Sequence, residues 1–498
     1  MATIFGDPSL QPTLSGKQKA KNQTLIGDDN SGSGNISNVL VGDVNTITDK
    51  AKGGNDILTG GDNSGSGRVS QSLFGDAFNM FGSAQGGNDI LTGGDNSGSG
   101  SVSQSLIGDA SNMRNSTQGG NDILTGGHNS GSGSVSQSLV GDATNMRNST
   151  QGGNDILTGG DNSGSGFVVQ NLIGDANFMF NSAQGGNDTL TGGDNNTLIG
   201  GSVFNNVRGD AIQMFNSAQG GDDILTGGDN SGSGVVVNFL YGDATNMFDS
   251  AQGGNDTLTG GDNSGSGSVF NTLIGDASTM RNSTQGGNDV LTGGHNSGSE
   301  FVGNSFAGDA SIMLDSAQGG NDILTGGHNS GSDSVGNSLF GDAAEMQDSA
   351  QGGNDILTGG HNSGSGFVVN RLYGDAIVMQ DSAQGGNDRL ISGTNATDNM
   401  WGDAQNMSVS ATGGSDTFVF IGAFGLFDSV FDFDQAEGDL IEFQVAGVDA
   451  FNDLDIVMVG FNTEISFDDS ATLAPDTVTL VNYDNTTNPL VVDDFAFV

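Results

Sequence analysis

Residues 118–127 read Gln118-Gly119-Gly120-Asn121-Asp122-Ile123-Leu124-Thr125-Gly126-Gly127, and close copies of this phrase recur along the chain. The acid of the phrase occurs at eleven positions; nine of the ten intervals are 33 residues and one is 35. A fixed period of this kind is typical of stacked structural units. We call these acids the marker Asp column. Its members are Asp56, Asp89, Asp122, Asp155, Asp188, Asp223, Asp256, Asp289, Asp322, Asp355 and Asp388, and a shortened copy ends at Asp416.

Apolar residues keep fixed distances from the marker. Leu124 follows Asp122 by two residues, and Val135 and Leu139 follow it by 13 and 17. A methionine also recurs once per repeat, which indicates inward core packing by an adaptable side chain. The methionine column is Met80, Met113, Met146, Met179, Met214, Met247, Met280, Met313, Met346, Met379 and Met407.

The strand signals are short and are punctuated by glycine. Val102 to Ile107 alternates, with Val102, Gln104 and Leu106 on one face, and no proline occurs between Thr13 and Ala474. These features predict an all-β fold: a parallel β-roll or β-solenoid of about eleven 33-residue repeats, followed by a compact C-terminal β domain. One wide coil and two narrow coils per repeat both fit the period.

The predicted domains follow changes in composition. Residues 1–24 are a lead-in or cap, 25–412 the solenoid, and 413–498 the C-terminal domain, which has 12 of the 28 Phe and no Lys or Arg. Met1 to Asp28 contains no apolar stretch of the kind that a Sec-type signal peptide needs.

The charge balance excludes several classes of partner. The 498 residues include 59 acidic and 12 basic ones, giving a formal net charge of −47, with no cysteine. Nucleic acid and anionic membranes need clustered Lys and Arg, so we expect neither as a partner. No apolar run reaches the roughly 18 residues of a membrane span. Low hydrophobicity with such a charge is typical of disorder unless something neutralises the acids.

A second acid recurs in a Gly-Asp pair, and we call it the Gly-Asp column. In a solenoid, equivalent residues lie about 4.8 Å apart, so each acidic column becomes a carboxylate ladder. Two such charges repel by roughly 3 kcal/mol at an effective dielectric near 20. The Gly-Asp column is Asp76, Asp109, Asp142, Asp175, Asp210, Asp243, Asp276, Asp309, Asp342, Asp375 and Asp403.

No column of Lys or Arg offsets these ladders, so we expect a dissolved cation between the coils. Carboxylates with backbone carbonyls from glycine-rich turns form all-oxygen sites, which favour Ca²⁺. Glycine permits the positive φ that turns a carbonyl toward an ion. For the Gly-Asp column, a turn acid that caps its own backbone is the alternative.

A third polar position lies six residues after the marker and is occupied by Asp or His. All four histidines, His128, His295, His328 and His361, occur there. A Zn²⁺ ladder along the last three is one hypothesis. The other is an exposed turn that tolerates either residue, followed by a flexible Asn-Ser-Gly-Ser-Gly loop.

The phrase at residues 118–127 resembles the nonapeptide of RTX, or hemolysin-type, calcium-binding β-rolls, and the resemblance covers about Leu25 to Asp416. It implies folding that depends on Ca²⁺, bound by the marker Asp side chains and by turn carbonyls. One departure is that a good nonapeptide occurs once per 33 residues rather than in tandem. The implied carbonyl ligands are Gly54, Gly87, Gly120, Gly153, Gly186, Gly221, Gly254, Gly287, Gly320, Gly353 and Gly386.

The C-terminal block has a resemblance of its own. Gly413 to Phe420 and the final Asp493 to Val498 are similar to the module that follows the array in serralysin-type metalloproteases. An acid followed by apolar residues at that end is similar to a type I secretion signal. The resemblance implies export by type I secretion machinery to the exterior or surface of a Gram-negative-type bacterium.

No catalytic module is recognisable. His-Glu-x-x-His, a catalytic Gly-x-Ser-x-Gly elbow and a Cys nucleophile are absent from the sequence. We therefore expect a secreted, calcium-binding structural or surface protein without enzymatic activity. The alternatives are a calcium-dependent adhesin or a solenoid that binds glycan or ice, for example through the Thr column that includes Thr92 and Thr125, and an RTX-type secreted enzyme. Self-assembly and cell-surface glycans are the further partners that these readings imply.

Overall fold

The computed structural model describes residues 2–6, 13–422, 427–467 and 476–498, with the backbone alone at residues 2 and 3. The described chain is almost entirely β and divides into two units. The N-terminal unit is Met1–Phe270 with Asp276–Ser278, and the C-terminal unit is Asn271–Gly275 with Thr279–Val498. Each unit is a parallel β-solenoid with a spacing of about 33 residues, so the predicted fold class is confirmed.

One repeat makes one wide coil of three strands, which settles the alternative left open by the period. In a representative coil these are Val135–Val140, Ala143–Asn148 and Ile156–Thr158. Each strand pairs in parallel with its copy 33 residues away, as Val102 does with Val135. We call the three resulting sheets sheet 1, sheet 2 and sheet 3.

The strands of the N-terminal unit belong to these sheets as follows. Sheet 1 has Ala2–Phe5, Ile36–Val41, Val69–Phe74, Val102–Ile107, Val135–Val140, Phe167–Ile173, Ser202–Arg208 and Val236–Tyr241. Sheet 2 has Thr13–Leu14, Val44–Ile47, Ala77–Gly82, Ala110–Asn115, Ala143–Asn148, Ala176–Asn181, Ala211–Met214 and Ala244–Met247. Sheet 3 has Thr24–Ile26, Ile57–Thr59, Ile90–Thr92, Ile123–Thr125, Ile156–Thr158, Thr189–Thr191, Ile224–Thr226 and Thr257–Thr259. Two further strands, Val269–Ile274 and Ala277–Met280, contain residues of both units.

The C-terminal unit repeats the pattern and then departs from it. Sheet 1 has Val302–Ala307, Val335–Phe340, Val368–Tyr373, Thr397–Trp401 and Asp428–Val430, then Asp455–Val459, Asn462–Phe467 and Asp476–Leu480. Sheet 2 has Ala310–Met313, Ala343–Met346, Ala376–Met379 and Ala404–Met407. Sheet 3 has Val290–Thr292, Ile323–Thr325, Ile356–Thr358, Arg389–Ile391, Thr417–Ile421, Leu440–Gln444 and Phe495–Phe497. Two 3-10 turns are Phe451–Asp453 and Val492–Asp494.

Strand pairing continues across both predicted domain boundaries. Ala2–Phe5, which lies in the predicted lead-in, pairs in parallel with Ile36–Val41 of the predicted solenoid. Thr417–Ile421 pairs in parallel with Arg389–Ile391, and only the later strands of the C-terminal block become antiparallel.

The apolar columns fill the interior, as predicted. Val102, Leu106 and Leu124 are buried, and so is the methionine column apart from Met407, which is partly exposed. Each coil therefore adds a thin layer to a core that is continuous along its unit.

Two turns show how the repeat bends. Sheet 2 ends at an Asn or Asp with positive φ in most coils, such as Asn148 at 69°, where a short polar side chain tolerates the left-handed region. The 35-residue interval is taken up between Asn195 and Ser202, since Asn162 pairs with Asn195 but Phe167 pairs with Ser202.

The Asn-Ser-Gly-Ser-Gly segments are ordered, and the prediction of flexible loops was wrong. Ser97 N–H and Gly98 N–H both donate to the Asn63 carbonyl of the preceding coil. Buried amides reinforce this ladder, because Asn96 Nδ2 donates to Asn129 Oδ1 at 3.0 Å. Glycine is required where the loops stack, since a Cβ on Gly98 would lie 2.2 Å from the Gly65 carbonyl oxygen.

Candidate metal centre

The two acidic columns lie in one corner of the coil, where sheet 1 turns into sheet 2 and the residues before sheet 3 fold back. The described members of both columns are buried, the marker acids at about 1–2% exposure and most Gly-Asp acids at 0%. The carbonyl-bearing glycines from Gly54 to Gly386 are buried beside them. The residues predicted from two separate motifs therefore lie together in the same corner of successive coils within each unit.

Each marker carboxylate has one occupied oxygen. Asp122 N–H donates to Asp155 Oδ1 at 2.6 Å, and Asp155 N–H donates to Asp188 Oδ1 at 2.6 Å. The other oxygen, Oδ2, is buried without a hydrogen-bond partner at ten described positions. These are Asp56, Asp89, Asp122, Asp155, Asp188, Asp223, Asp322, Asp355, Asp388 and Asp416.

The Gly-Asp carboxylates accept from the backbone of the marker segment. Gly87 N–H donates to Asp76 Oδ2 at 2.8 Å, and the same contact recurs between Gly120 and Asp109 at 3.0 Å. The capping role considered for this column is therefore present, but across 11 residues rather than within the turn. The Asp76 and Asp109 carboxyls also lie within hydrogen-bonding reach of each other, although two ionised carboxylates have no proton to share.

Backbone carbonyls complete an all-oxygen environment. A Cβ on Gly120 would lie 1.4 Å from the Gly87 carbonyl oxygen, so this oxygen is directed into the space between coils. A Cβ on Gly75 would lie 2.1 Å from Asp89 Oδ2 and 1.8 Å from the Gly108 carbonyl oxygen. Only glycine leaves room for these oxygens at both positions.

The electrostatics of the corner are unfavourable for bare carboxylates. Burial, and then the charge of Asp43, raises the pKa of Asp56 to about 8. Burial raises the pKa of Asp175 to about 7 and that of Asp243 to about 6. For Asp122, burial and then the charges of neighbouring acids hold the pKa well above its ordinary value.

These residues fit a hard divalent cation. Asp43, Asp56 and Asp76 each offer a carboxylate oxygen, and the three atoms lie within 4.8 Å of one another. Buried oxygens that lack a donor, together with inward carbonyls and no nitrogen or sulfur ligand, form the donor set that Ca²⁺ prefers. A bound cation would supply the positive charge that the corner lacks.

A column of buried amide side chains, which includes Gln104 and Asn238, has a structural role that the sequence did not predict. Gln104 Nε2 donates to the Gly94 carbonyl and Gln104 Oε1 accepts from Gly127 N–H, so one side chain ties the ends of two sheet 3 strands. Asn238 takes the same place in a later coil, accepting from Gly228 N–H and donating to its carbonyl. The signal was present, since a polar residue recurs between inward Val and Leu.

The third polar position has a geometric explanation. Asp161 Oδ1 accepts Asp194 N–H at 2.9 Å, and His328 Nδ1 accepts His361 N–H at 2.8 Å in the same way. Asp and His are interchangeable here because each places an acceptor on its δ atom. The turn hypothesis agrees with this arrangement, although the position ranges from exposed, as at His128, to half-buried, as at His328.

The same hydrogen bond argues against the zinc ladder. His295 and His328 stack with ring centroids 4.8 Å apart, and His328 and His361 with centroids 4.7 Å apart. A neutral imidazole whose Nδ1 accepts a hydrogen bond carries its proton on Nε2, which leaves no lone pair for a metal.

Scanning models of protein families and searching curated proteins both found no match. Among the described residues there is no helix with the length and apolar character that a membrane crossing requires.

The acidic corner predicts that metal-free protein is less stable at higher pH. The folded-state pKa values of about 8, 7 and 6 for Asp56, Asp175 and Asp243 lie above the ordinary 3.8. The protonated acids therefore stabilise the fold fully below about pH 4, and this contribution is lost as the pH rises toward 8. In chelator, urea unfolding followed by circular dichroism should show a midpoint that falls from pH 5 to pH 8. A midpoint that is constant or rises would contradict the burial of these carboxyls.

The histidine position predicts a tautomer. Burial, followed by the charges of His295 and His361, lowers the pKa of His328 to about 4, so His328 should be neutral at pH 5.5 with its proton on Nε2. Because the chain has only four histidines, selective ¹⁵N labelling can resolve them by NMR. Protonation of Nδ1, or a shift on adding Zn²⁺, would contradict the hydrogen-bonding scheme.

Proposed function

We propose that this protein is a secreted calcium-binding structural or surface protein whose solenoid folds as Ca²⁺ binds between its coils. The observation that carries the proposal is the row of buried marker Oδ2 atoms without a hydrogen-bond partner. A buried carboxylate oxygen without a donor costs several kcal/mol in order-of-magnitude terms. A fold that repeats this cost in each coil needs a compensating cation.

The marker acids would provide charged ligands, the Gly-Asp acids a second set, and the glycine carbonyls neutral ones. When bound, Ca²⁺ supplies charge compensation and links consecutive coils. Because the ligands come from different coils, the site does not exist in the unfolded chain, and binding free energy becomes folding free energy.

The cellular part of the proposal rests on the C-terminal resemblance. Phe495–Phe497 forms the last strand of sheet 3 and pairs with Ile441–Phe443. The segment that resembles a secretion signal is therefore built into the sheet in the folded protein. We propose that type I secretion machinery exports the chain before Ca²⁺ folds it outside the cell.

A scaffold role is preferred to catalysis. The acids that could act as general acids or bases occur as ladders in a closed corner, and no nucleophile is paired with a base in the recognisable motifs. An adhesin or glycan-binding role is the second candidate, and it is favoured by the exposed phenylalanines on the outward face of sheet 1, such as Phe167 and Phe204.

Calcium titration tests the function. Asp155→Asn, Asp188→Asn and Asp223→Asn together should raise the Ca²⁺ concentration at the folding midpoint by at least about threefold, because each removes an anionic ligand. In chelator the same variant should be more folded than wild type, because buried repulsion is removed. Circular dichroism and equilibrium dialysis with ⁴⁵Ca²⁺ report folding and bound ions.

The matched control changes the same charge in the same coils. Asp161→Asn, Asp194→Asn and Asp229→Asn lie six residues after each marker at the third polar position, where Asp229 is exposed and Asp161 and Asp194 are half-buried. This variant should shift the midpoint by less than about twofold, because charges that keep contact with water contribute little. Equal shifts of the folding midpoint in the two variants would mean that net charge alone, and not ligation by the marker acids, causes the calcium response. A wild-type protein whose folding does not respond to Ca²⁺ would refute the proposal.

Secretion is tested in a bacterial host with or without a type I exporter. We expect full-length protein in the medium only when the exporter is present, and retention of a variant that lacks residues 493–498. Circular dichroism of the truncated protein in Ca²⁺ checks that its solenoid still folds. Export of the truncated protein, or export without the transporter, would contradict the role of this end.

A further inference from the structure

One region of sheet 1 in the N-terminal unit departs from the repeat. In the two coils before it the outward positions are all Ser, as at Ser134, Ser136 and Ser138. One coil later the equivalent positions carry Phe167, Val169 and Asn171. Coils with Ser form the same strands in the same register, so these large side chains are not needed for folding.

Three phenylalanines form a diagonal across consecutive coils. Phe167 pairs with Ser202, Val169 with Phe204, and Asn206 with Phe239, which moves the ring two residues along the strand at each coil. We call Phe167, Phe204 and Phe239 the aromatic diagonal. Residues on one face of a sheet that are diagonal neighbours lie about 7–8 Å apart, so the rings form a line rather than a column.

The rings of the diagonal are open to solvent. Phe167 is 50% exposed, and Phe204 and Phe239 are each 40% exposed. Phe167 and Phe204 have centroids 6.5 Å apart and planes tilted by 47°, so they do not cover each other.

Another aromatic group in this unit provides a contrast. On the sheet 2 side, Phe180 and Phe215 stack at 5.0 Å with planes 5° apart, and Phe215 and Phe248 stack at 5.1 Å. Each inner face of that column is occupied by the next ring. The diagonal, by contrast, leaves ring faces open to a ligand.

The surroundings of the diagonal are amide-rich and apolar. Asn171 and Asn206 are half-buried beside the rings, and Arg208 Nη1 donates to Asn171 Oδ1 at 2.6 Å. Val169, Leu198 and Ile199 extend the apolar surface, and the last two belong to the two-residue insertion. The insertion therefore comes directly before Ser202–Arg208, the strand that carries Phe204 of the aromatic diagonal.

We propose that the aromatic diagonal, with Asn171 and Asn206, binds a neutral linear polysaccharide. Sugar rings present apolar C–H faces, which the negative face of an aromatic ring attracts, while their hydroxyls take hydrogen bonds from amides. A line of separated rings suits a chain of sugar units, and the net charge of −47 disfavours an anionic one.

The size of the surface argues against a protein occupant. Three coils at about 4.8 Å and five residues at about 3.3 Å cover roughly 250 Å². A stable protein interface needs about 800 Å² from each partner. A narrow carbohydrate chain needs much less.

The inference rests on the folded solenoid of the proposed function. Binding is measured in the buffer, with or without Ca²⁺, in which circular dichroism shows the protein to be folded as β structure. If the protein folds equally well without Ca²⁺, the proposed function is contradicted, but the carbohydrate test remains valid.

The probe is cellohexaose, with binding followed by isothermal titration calorimetry and by NMR of the sugar. Phe167→Ser, Phe204→Ser and Phe239→Ser restore the Ser of the repeat and together should weaken binding by at least about tenfold, from the loss of three ring contacts. The control is Phe367→Ser, since Phe367 is 73% exposed but has Ser334 and Gly336 in the coil before it. It should bind like wild type.

A transplant keeps the test independent of any folding defect. Arg68→Phe, Ser103→Phe and Ser138→Phe place an equivalent diagonal on three polar coils, and Ser72→Asn with Ser105→Asn supply the equivalent amides. Together these changes should restore binding to the triple Ser variant. Failure of folded wild type to bind cellohexaose, or unchanged binding by the triple Ser variant, would overturn the proposal. So would a wild-type dimer in light scattering that the triple Ser variant abolishes, because a second copy would then be the occupant.

Discussion

The structure depends on one constraint: each repeat is one coil, so every residue stacks on its own copies about 4.8 Å away. Val102 aligns with Val135, and Gln104 with Gln137, without a slip. A residue type can therefore occupy a position of the repeat only if its side chain can lie next to identical side chains in the coils before and after it. Apolar side chains satisfy this condition by packing, and they form the thin core of each unit.

Polar residues meet the same condition in different ways. An amide is a donor and an acceptor, so Asn96 and Asn129 bond to each other and extend a ladder without any outside partner. Aromatic rings stack, as Phe180 and Phe215 do. A carboxylate has no donor, and it repels its own copy. The marker and Gly-Asp columns thus combine burial with repulsion between neighbouring copies, which packing and amide ladders do not offset.

The sequence predicted what repeats and missed what depends on three-dimensional proximity. The fixed intervals after Asp122 identified the fold class and the inward Val, Leu and Met. They could not show that Asp109 and Asp122 share a corner, because 12 residues of strand and turn lie between them in the chain. The number of coils per repeat stayed open for the same reason, because a 33-residue period gives the length of the repeating segment but not how that segment folds. The order of the Ser-Gly loops was missed because composition carries no information about stacking between coils.

A comparison between columns shows why charge matters in the corner. Asp155 and Asp161 both accept a backbone N–H from a neighbouring coil, but only Asp155 is buried. At the third polar position the chain also uses His, because an acceptor is all that is needed there. Asn would meet the same need in the corner without charge, and the position directly before the marker shows that the repeat can carry Asn, with Asp there only at Asp222. Yet every marker is Asp. The hydrogen bond cannot explain that choice, and the negative charge, which a cation between the coils requires, can.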